Sequence, residues 1–142
     1  VDIESMLIDK SLKVADLPVI WNEQIKEYLD LKVPDDSQGV LQDIHWSGGQ
    51  FGTFCNYTIG NVMAAQLMET MKNNKPEIQN DINKANYLPL LNWLTSNIHS
   101  HGRRYTRNEL LERSTGETLN PLPYLKYLKN KANQVYGVSF ND

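Results

Sequence analysis

The chain has 142 residues, enough for one domain with a real core that buries about two-thirds of its unfolded surface. Its 14 basic and 17 acidic side chains are mixed along the sequence and leave a net charge of -3, which argues against a phosphate-neutralising surface and so against nucleic acid as a partner. A single cysteine, Cys55, rules out an internal disulfide and fits a reducing compartment, and no apolar run approaches the ~20 residues needed to span a bilayer, so the expectation is a soluble cytoplasmic protein with no membrane partner.

The periodicity predicts helices throughout. From Val1 to about Lys13, Ile3, Met6, Leu7 and Lys10 follow helical spacing, with Asp2 and Glu4 near the start, where the helix dipole favours acids. Asp16 is a candidate N-cap for a second helix whose stripe is Leu17, Ile20, Trp21, Gln24, Ile25 and Tyr28, read as core-facing. Val33 to Gly39 is a loop by composition, with Pro34 stopping what precedes it. From Ile59 to about Asn73, Val62, Met63, Gln66, Leu67 and Met71 face one way, and Ala64 and Ala65 permit close packing. Pro76 opens a short polar helix to about Asn83, read as a surface element. Leu88, Leu91, Leu94 and Ile98 form the next stripe, with Trp93 beside it and His99 and His101 at its end. Two histidines separated by one residue point to different faces of a helix, so ordinary stabilisation of the helix end is favoured over a shared metal there. Thr106-x-x-Glu109 is a capping box opening a helix through Ser114, with Gly116 as its stop. Asn120-Pro121 begins the last helix, with Leu122, Leu125 and Leu128 apolar, and the tail frays from Val138. No internal repeat, low-complexity tract or second domain boundary is found, and residues 1–142 are read as a single helical domain.

One stretch carries a different pattern. In Gly39-Val-Leu-Gln-Asp-Ile-His-Trp46, the polar Gln42, Asp43 and His45 interleave with Val40, Leu41, Ile44 and Trp46, so apolar side chains are buried while each polar head must find a partner. Ser47-Gly-Gly49 and Gly52 allow tight backbone turns, and Tyr57 arrives before Gly60 and the helical pattern beyond it. A neutral imidazole and a phenol, at His45 and Tyr57, could both donate hydrogen bonds into one cleft, as an oxyanion or a substrate carboxylate requires. The competing reading of His45 is a hydrogen-bonded packing residue. Arg103 and Arg104 have guanidinium forks suited to a peptide's terminal carboxylate, against the alternative that they pair with internal acids and tie helices together.

Gly39-x-x-Gln42-Asp43-x-His45-Trp46 resembles the Gly-x-x-Gln-Asp-x-His-Trp signature of the M32 family of metallocarboxypeptidases, the thermostable carboxypeptidase Taq type. Asp16-Leu-Pro and Trp21-Asn22 before it, Phe51-Gly52, Tyr57-x-x-Gly60-Asn61 and Ala64-Ala65-Gln66-Leu67 after it, then His101-Gly-Arg-Arg-Tyr-Thr106, Glu109-Leu-Leu-Glu-Arg113 and Thr115-Gly116, are similar to the carboxyl-terminal third of that family in order and spacing. The resemblance implies an all-α fold, a helical bundle-like portion of a larger, mostly helical gluzincin metallopeptidase. It implies zinc, or another divalent metal, held in the intact enzyme by a His-Glu-x-x-His helix and a downstream glutamate. No His-Glu pair occurs in this chain, and Val1 opens directly on a helical pattern, so the expectation is a carboxyl-terminal fragment that binds no metal itself.

By the same resemblance, His45 would donate to the substrate's backbone or carboxylate and the Tyr57 phenol would help stabilise the oxyanion. Gln42 and Asp43 would support them from behind, Asp43 by orienting a neighbouring donor and Gln42 by bridging backbone groups. Arg103 is a weaker candidate for binding substrate. The implied partners are a peptide with a free carboxyl terminus, the missing amino-terminal part of the same protein and, as an open alternative, a second copy in a homodimer. Two other readings stand beside this one: a non-catalytic helical interaction module built on the same scaffold, and a hydrolase using Cys55 and His45, which lacks any supporting carboxylate or activating motif around the thiol.

Overall fold

In the computed structural model, which describes residues 1–140, every regular element is helical and no strand occurs among the described residues. The α-helices are α1 (Asp2–Ile8), α2 (Leu17–Leu29), α3 (Ile44–Ser47), α4 (Cys55–Asn74), α5 (Ile78–Asn83), α6 (Leu88–Asn97), α7 (Arg107–Thr115) and α8 (Leu122–Tyr136), joined in places by single 3-10 turns. Packing divides the chain into two compact units, Val1–Tyr57 and Thr58 onward, where the sequence shows no boundary.

In the first unit α1 is shorter than its periodicity predicts. Asp9 caps it, the Asp9 carboxylate accepts from the Ser11 N–H at 2.8 Å, and Lys10 turns into the left-handed region at φ 66°. Asp16 stands at the N-cap position of α2, as predicted, but without a side-chain capping bond: it is itself helical, in a 3-10 turn from Val14. The α2 stripe is half-buried at best, and Tyr28 is exposed, its hydroxyl donating to Asp2 of α1 at 3.3 Å. Asp30, not Pro34, ends the helix, by adopting the left-handed conformation at φ 53°. The buried apolar residues of this unit are Ile3 and Val40.

The second unit has the larger core. Met71, Ile78 and Trp93 are buried together, with Leu67, Ile82, Leu90 and Leu94 packed against them. Two sequence expectations are corrected here. The short helix after Pro76 is not a mere surface element, because Ile78 is completely buried. On α6 the core-facing row is Leu90, Trp93 and Leu94, while Leu88 and Leu91 are exposed; the indole has the most apolar area to remove from water and rotates the helix to bury it. Thr106 and Glu109 form both halves of the capping box of α7, which ends at Gly116 in the left-handed conformation, as the sequence predicts. The last helix starts after Pro121, with the Asn120 carboxamide accepting from the Leu122 N–H at 2.9 Å. Its leucines, however, are exposed: Leu122, Leu125 and Leu128 lie open rather than in a core. Beyond Gly137 the chain is non-helical to Phe140, and the end of the expected frayed tail lies outside the described residues.

Gln66 holds this unit together through polar contacts. Its side chain is buried in α4, and its amide nitrogen donates to Thr115 Oγ1 at 3.0 Å and to the Thr118 carbonyl at 2.9 Å. The amide oxygen accepts from the Asn120 N–H at 3.1 Å. Both ends of the amide are satisfied, which is the condition for burying it.

Candidate functional site

The stretch from Gly39 to Tyr57 lies within the first unit. It opens at Gly39, which is buried, and a Cβ there would fall 2.6 Å from Val33 Cγ1 and 3.1 Å from the Asp35 carbonyl oxygen. The glycine is therefore demanded by close approach of the preceding loop. A 3-10 turn over Val40–Gln42 follows, in which the Gln42 side-chain amide donates to the Ser37 carbonyl. Gln42 thus fastens one backbone segment to another, and is itself exposed.

Asp43 caps α3. Its Oδ1 accepts from the His45 N–H at 2.8 Å and from the Trp46 N–H at 3.3 Å, satisfying orphan donors of a helix only one turn long. The same oxygen lies 3.3 Å from His45 Nδ1, with both side chains mostly buried, at 12% and 16% exposure. The contact becomes an ion pair when the ring is protonated.

His45 is one ring of three. Its imidazole meets Phe54 edge-on at 5.2 Å between centroids and Tyr57 at 6.0 Å, while Phe54 and Tyr57 meet at 5.5 Å. The imidazole and the phenol are therefore neighbours, with Tyr57 61% exposed and its face open to solvent. Tyr57 stands in the first turn of α4, earlier than the predicted start at Ile59. Gly60 reads locally as a break, but a single helical glycine costs only about 1 kcal/mol and the helix runs through it. Cys55, half-buried, directs its thiol to the Gly52 carbonyl at 3.2 Å.

A cavity of about 650 Å³ adjoins these residues, walled by Ile3, Trp21, Ile25, Ile44 and Phe54, with Gln42, Asp43 and His45 supplying polar groups. Apolar walls with a few converging polar groups are the usual form of a binding site. Trp46 closes against Trp21 edge-on at 5.7 Å and stacks on Phe51 at 6.3 Å. Glu4 of α1 also lines the cavity, and sequence reasoning assigns it only a helix-dipole role; its contacts lie dozens of residues away along the chain, where periodicity carries no signal.

Arg103 belongs to the second unit, exposed beyond the 3-10 turn that ends at His101. Neither it nor Arg104 forms an ion pair with an internal acid among the described residues, so the helix-tying alternative is not realised. His101 meets Tyr105 edge-on at 5.5 Å, and the Arg113 guanidinium lies over the other partner of that contact, 4.5 Å from the Tyr105 ring centroid. Among the described residues no group of three or more His, Cys, Asp or Glu side chains is placed to hold a metal ion.

The family model for the carboxypeptidase Taq (M32) metallopeptidases matches residues 1–132, and the chain belongs to that family. It is 36% identical to carboxypeptidase 1 of Bacillus subtilis over 135 residues, covering 95% of this chain and 27% of that protein. Thermostable carboxypeptidase 1 of Thermus thermophilus is 35% identical over 136 residues, covering 96% of this chain and 27% of that protein. The crystal structure of the M32 carboxypeptidase from Deinococcus radiodurans superposes with a TM-score of 0.91 at 40% identity, over 96% of this chain and 28% of that one. The chain thus spans little more than a quarter of the length of these relatives.

Proposed function

We propose that this chain is the carboxyl-terminal helical part of a zinc-dependent metallocarboxypeptidase, which removes amino acids from the carboxyl termini of peptides in the cytoplasm. Within it, His45 and Tyr57 supply hydrogen-bond donors to the substrate's carboxylate and to the oxyanion that forms during hydrolysis. The observation that carries this reading is the juxtaposition of the two rings, 6.0 Å between centroids, with His45 lining an apolar-walled cavity, in a chain of this family.

The chemistry of the two groups suits the task. A phenol donates one hydrogen bond without carrying charge, and donors placed where negative charge develops are worth about a hundredfold or more in rate. With Nδ1 of His45 facing the Asp43 carboxylate, Nε2 is the ring nitrogen left to meet the substrate. Asp43 acts as an orienting group for the ring and Gln42 as a backbone tie, and Arg103 is a weaker candidate for the terminal carboxylate.

Metal-dependent steps fall to residues outside this chain, which on this reading is inactive alone. The exposed row of Leu122, Leu125 and Leu128 on α8 supports a longer protein whose remaining part covers it. The test is amino-acid release from a pair of peptides differing only in a free or amidated carboxyl terminus. The full-length protein should release residues one at a time from the free terminus alone, and the 142-residue chain should release none with zinc added. Equal cleavage of the amidated peptide would overturn the assignment, and release by the chain alone would overturn its dependence on the rest.

A further inference from the structure

We propose that Glu4 is a positioning residue for the His45–Tyr57 pair, acting as the anchor that sets the distance between the two rings. The inference rests on the donor reading above. Each ring stands near the end of a helix that abuts the loop joining them. His45 is on α3, a single turn, and Tyr57 is in the first turn of α4. Between them runs a loop in which Gly49 and Gly52 both take positive φ, at 71° and 70°, with open space where side chains would be. A loop of that kind has many conformations of similar energy, so an outside tether is needed to select one.

Glu4 is that tether. One carboxylate oxygen, Oε1, accepts from the Trp46 indole Nε1–H at 3.0 Å and from the Gly52 N–H at 3.2 Å. Trp46 is the residue next to His45, and Gly52 lies just before the Phe54–Tyr57 segment, so one atom holds both ends of the loop that separates the rings. The glutamate comes from α1 and is only 6% exposed. Hydrogen bonds to an ionised acceptor are about twice as strong as neutral ones, and a buried acceptor cannot exchange them freely for water. The indole is fixed further by its edge-on contact with Trp21 and its stacking on Phe51. Glu4 therefore touches neither ring of the pair in this arrangement of bonds, but governs their spacing through both flanks. Misplacing a catalytic donor by about 1 Å is enough to cost orders of magnitude in rate, so loss of the anchor should fall on turnover.

The experiment uses the full-length protein carrying Glu4→Ala, Glu4→Gln or Trp46→Phe. Glu4→Ala is expected to lower kcat about tenfold or more and kcat/KM by at least as much, and Glu4→Gln, which keeps an acceptor oxygen, to restore most of it. In a Tyr57→Phe background, Glu4→Ala should cost much less than it does alone, because its effect passes through the ring already disabled. A purely structural role would instead subtract equally in both backgrounds. Crystal structures of the variants read the geometry independently of activity: the His45 and Tyr57 rings should separate or rotate from their present arrangement in Glu4→Ala and hold it in Glu4→Gln. Should Glu4→Ala fail to fold, Trp46→Phe removes one donor while leaving the carboxylate in place, and the same kcat loss and ring movement are expected at smaller size. Unmoved rings, or moved rings with unchanged kcat, overturn the proposal. Failure of the donor reading shows separately, as wild-type turnover in Tyr57→Phe and His45→Gln.

Discussion

Among the described residues, Gln66 in the second unit and Glu4 in the first are the two buried polar side chains, and they are used differently. Gln66 is neutral, donates from one end and accepts at the other, and closes α4 onto the segment between α7 and α8, beside a core of Met71, Ile78 and Trp93. Glu4 brings a carboxylate into a unit whose buried apolar residues are few, and it gathers a loop of glycines and aromatic rings. A neutral amide with every partner present reads as a device for stability. A carboxylate that anchors a flexible loop beside an imidazole and a phenol reads as a device for placement. The difference teaches that burial alone does not separate structural from functional polar groups; what the group holds in place does.

That contrast can be broken by substitution. The largest expected effect on folding is Gln66→Leu, which leaves the part-buried Asn120 N–H without its partner and frees the Thr115 and Thr118 acceptors. A loss of about 3 kcal/mol in urea unfolding is expected, with kcat per folded molecule unchanged. A fall in kcat as large as that of Tyr57→Phe would erase the distinction. Next is Gly39→Ala, whose added carbon must displace the stiff Val33 side chain or the Asp35 carbonyl. It should cost about 1–3 kcal/mol, read as a lower unfolding midpoint, and the signature stretch should shift with it. Thr106→Ala should cost about 1 kcal/mol by removing a helix cap remote in sequence from the rings, again without changing turnover.

The smallest effect is one of pH. Glu109 titrates below its ordinary value because the Thr106 hydroxyl and then the Thr106 backbone N–H bond to its charged form. A depressed carboxylate contributes stability above its unfolded value and loses it as pH falls through its folded value. Amide protection at the start of α7 should therefore persist to a pH below 4.5 and decline only under more acidic conditions. Protection lost already above that pH would show the capping box to be idle.

Much of the fold is legible in the sequence because its signals are local. The Thr106–Glu109 box, the Gly116 stop and the helix through Val62, Gln66 and Met71 are set by residues three or four apart, and each is found in the structure. Which face is buried is less legible, since it depends on partners far along the chain. Trp93 turns α6 away from the row of Leu88 and Leu91, and Ile78 makes a core element of a helix that looks polar. The candidate site shows the same division. Gln42, Asp43, His45 and Tyr57 stand out by type and spacing, and the latter two rings are brought together. Glu4 does not stand out, because an acid near a helix start has an ordinary explanation and its contacts to Trp46 and Gly52 cross the whole of the first unit.

The central claim is that the Tyr57 phenol is a working donor rather than a packed ring, and Tyr57→Phe isolates it by deleting one oxygen. Measured as kcat/KM for release of a carboxyl-terminal residue by the full-length protein, the substitution should cost about a hundredfold while the unfolding midpoint stays where it is. Turnover within about twofold of wild type would contradict the account and leave His45 and Tyr57 as two rings in an aromatic cluster.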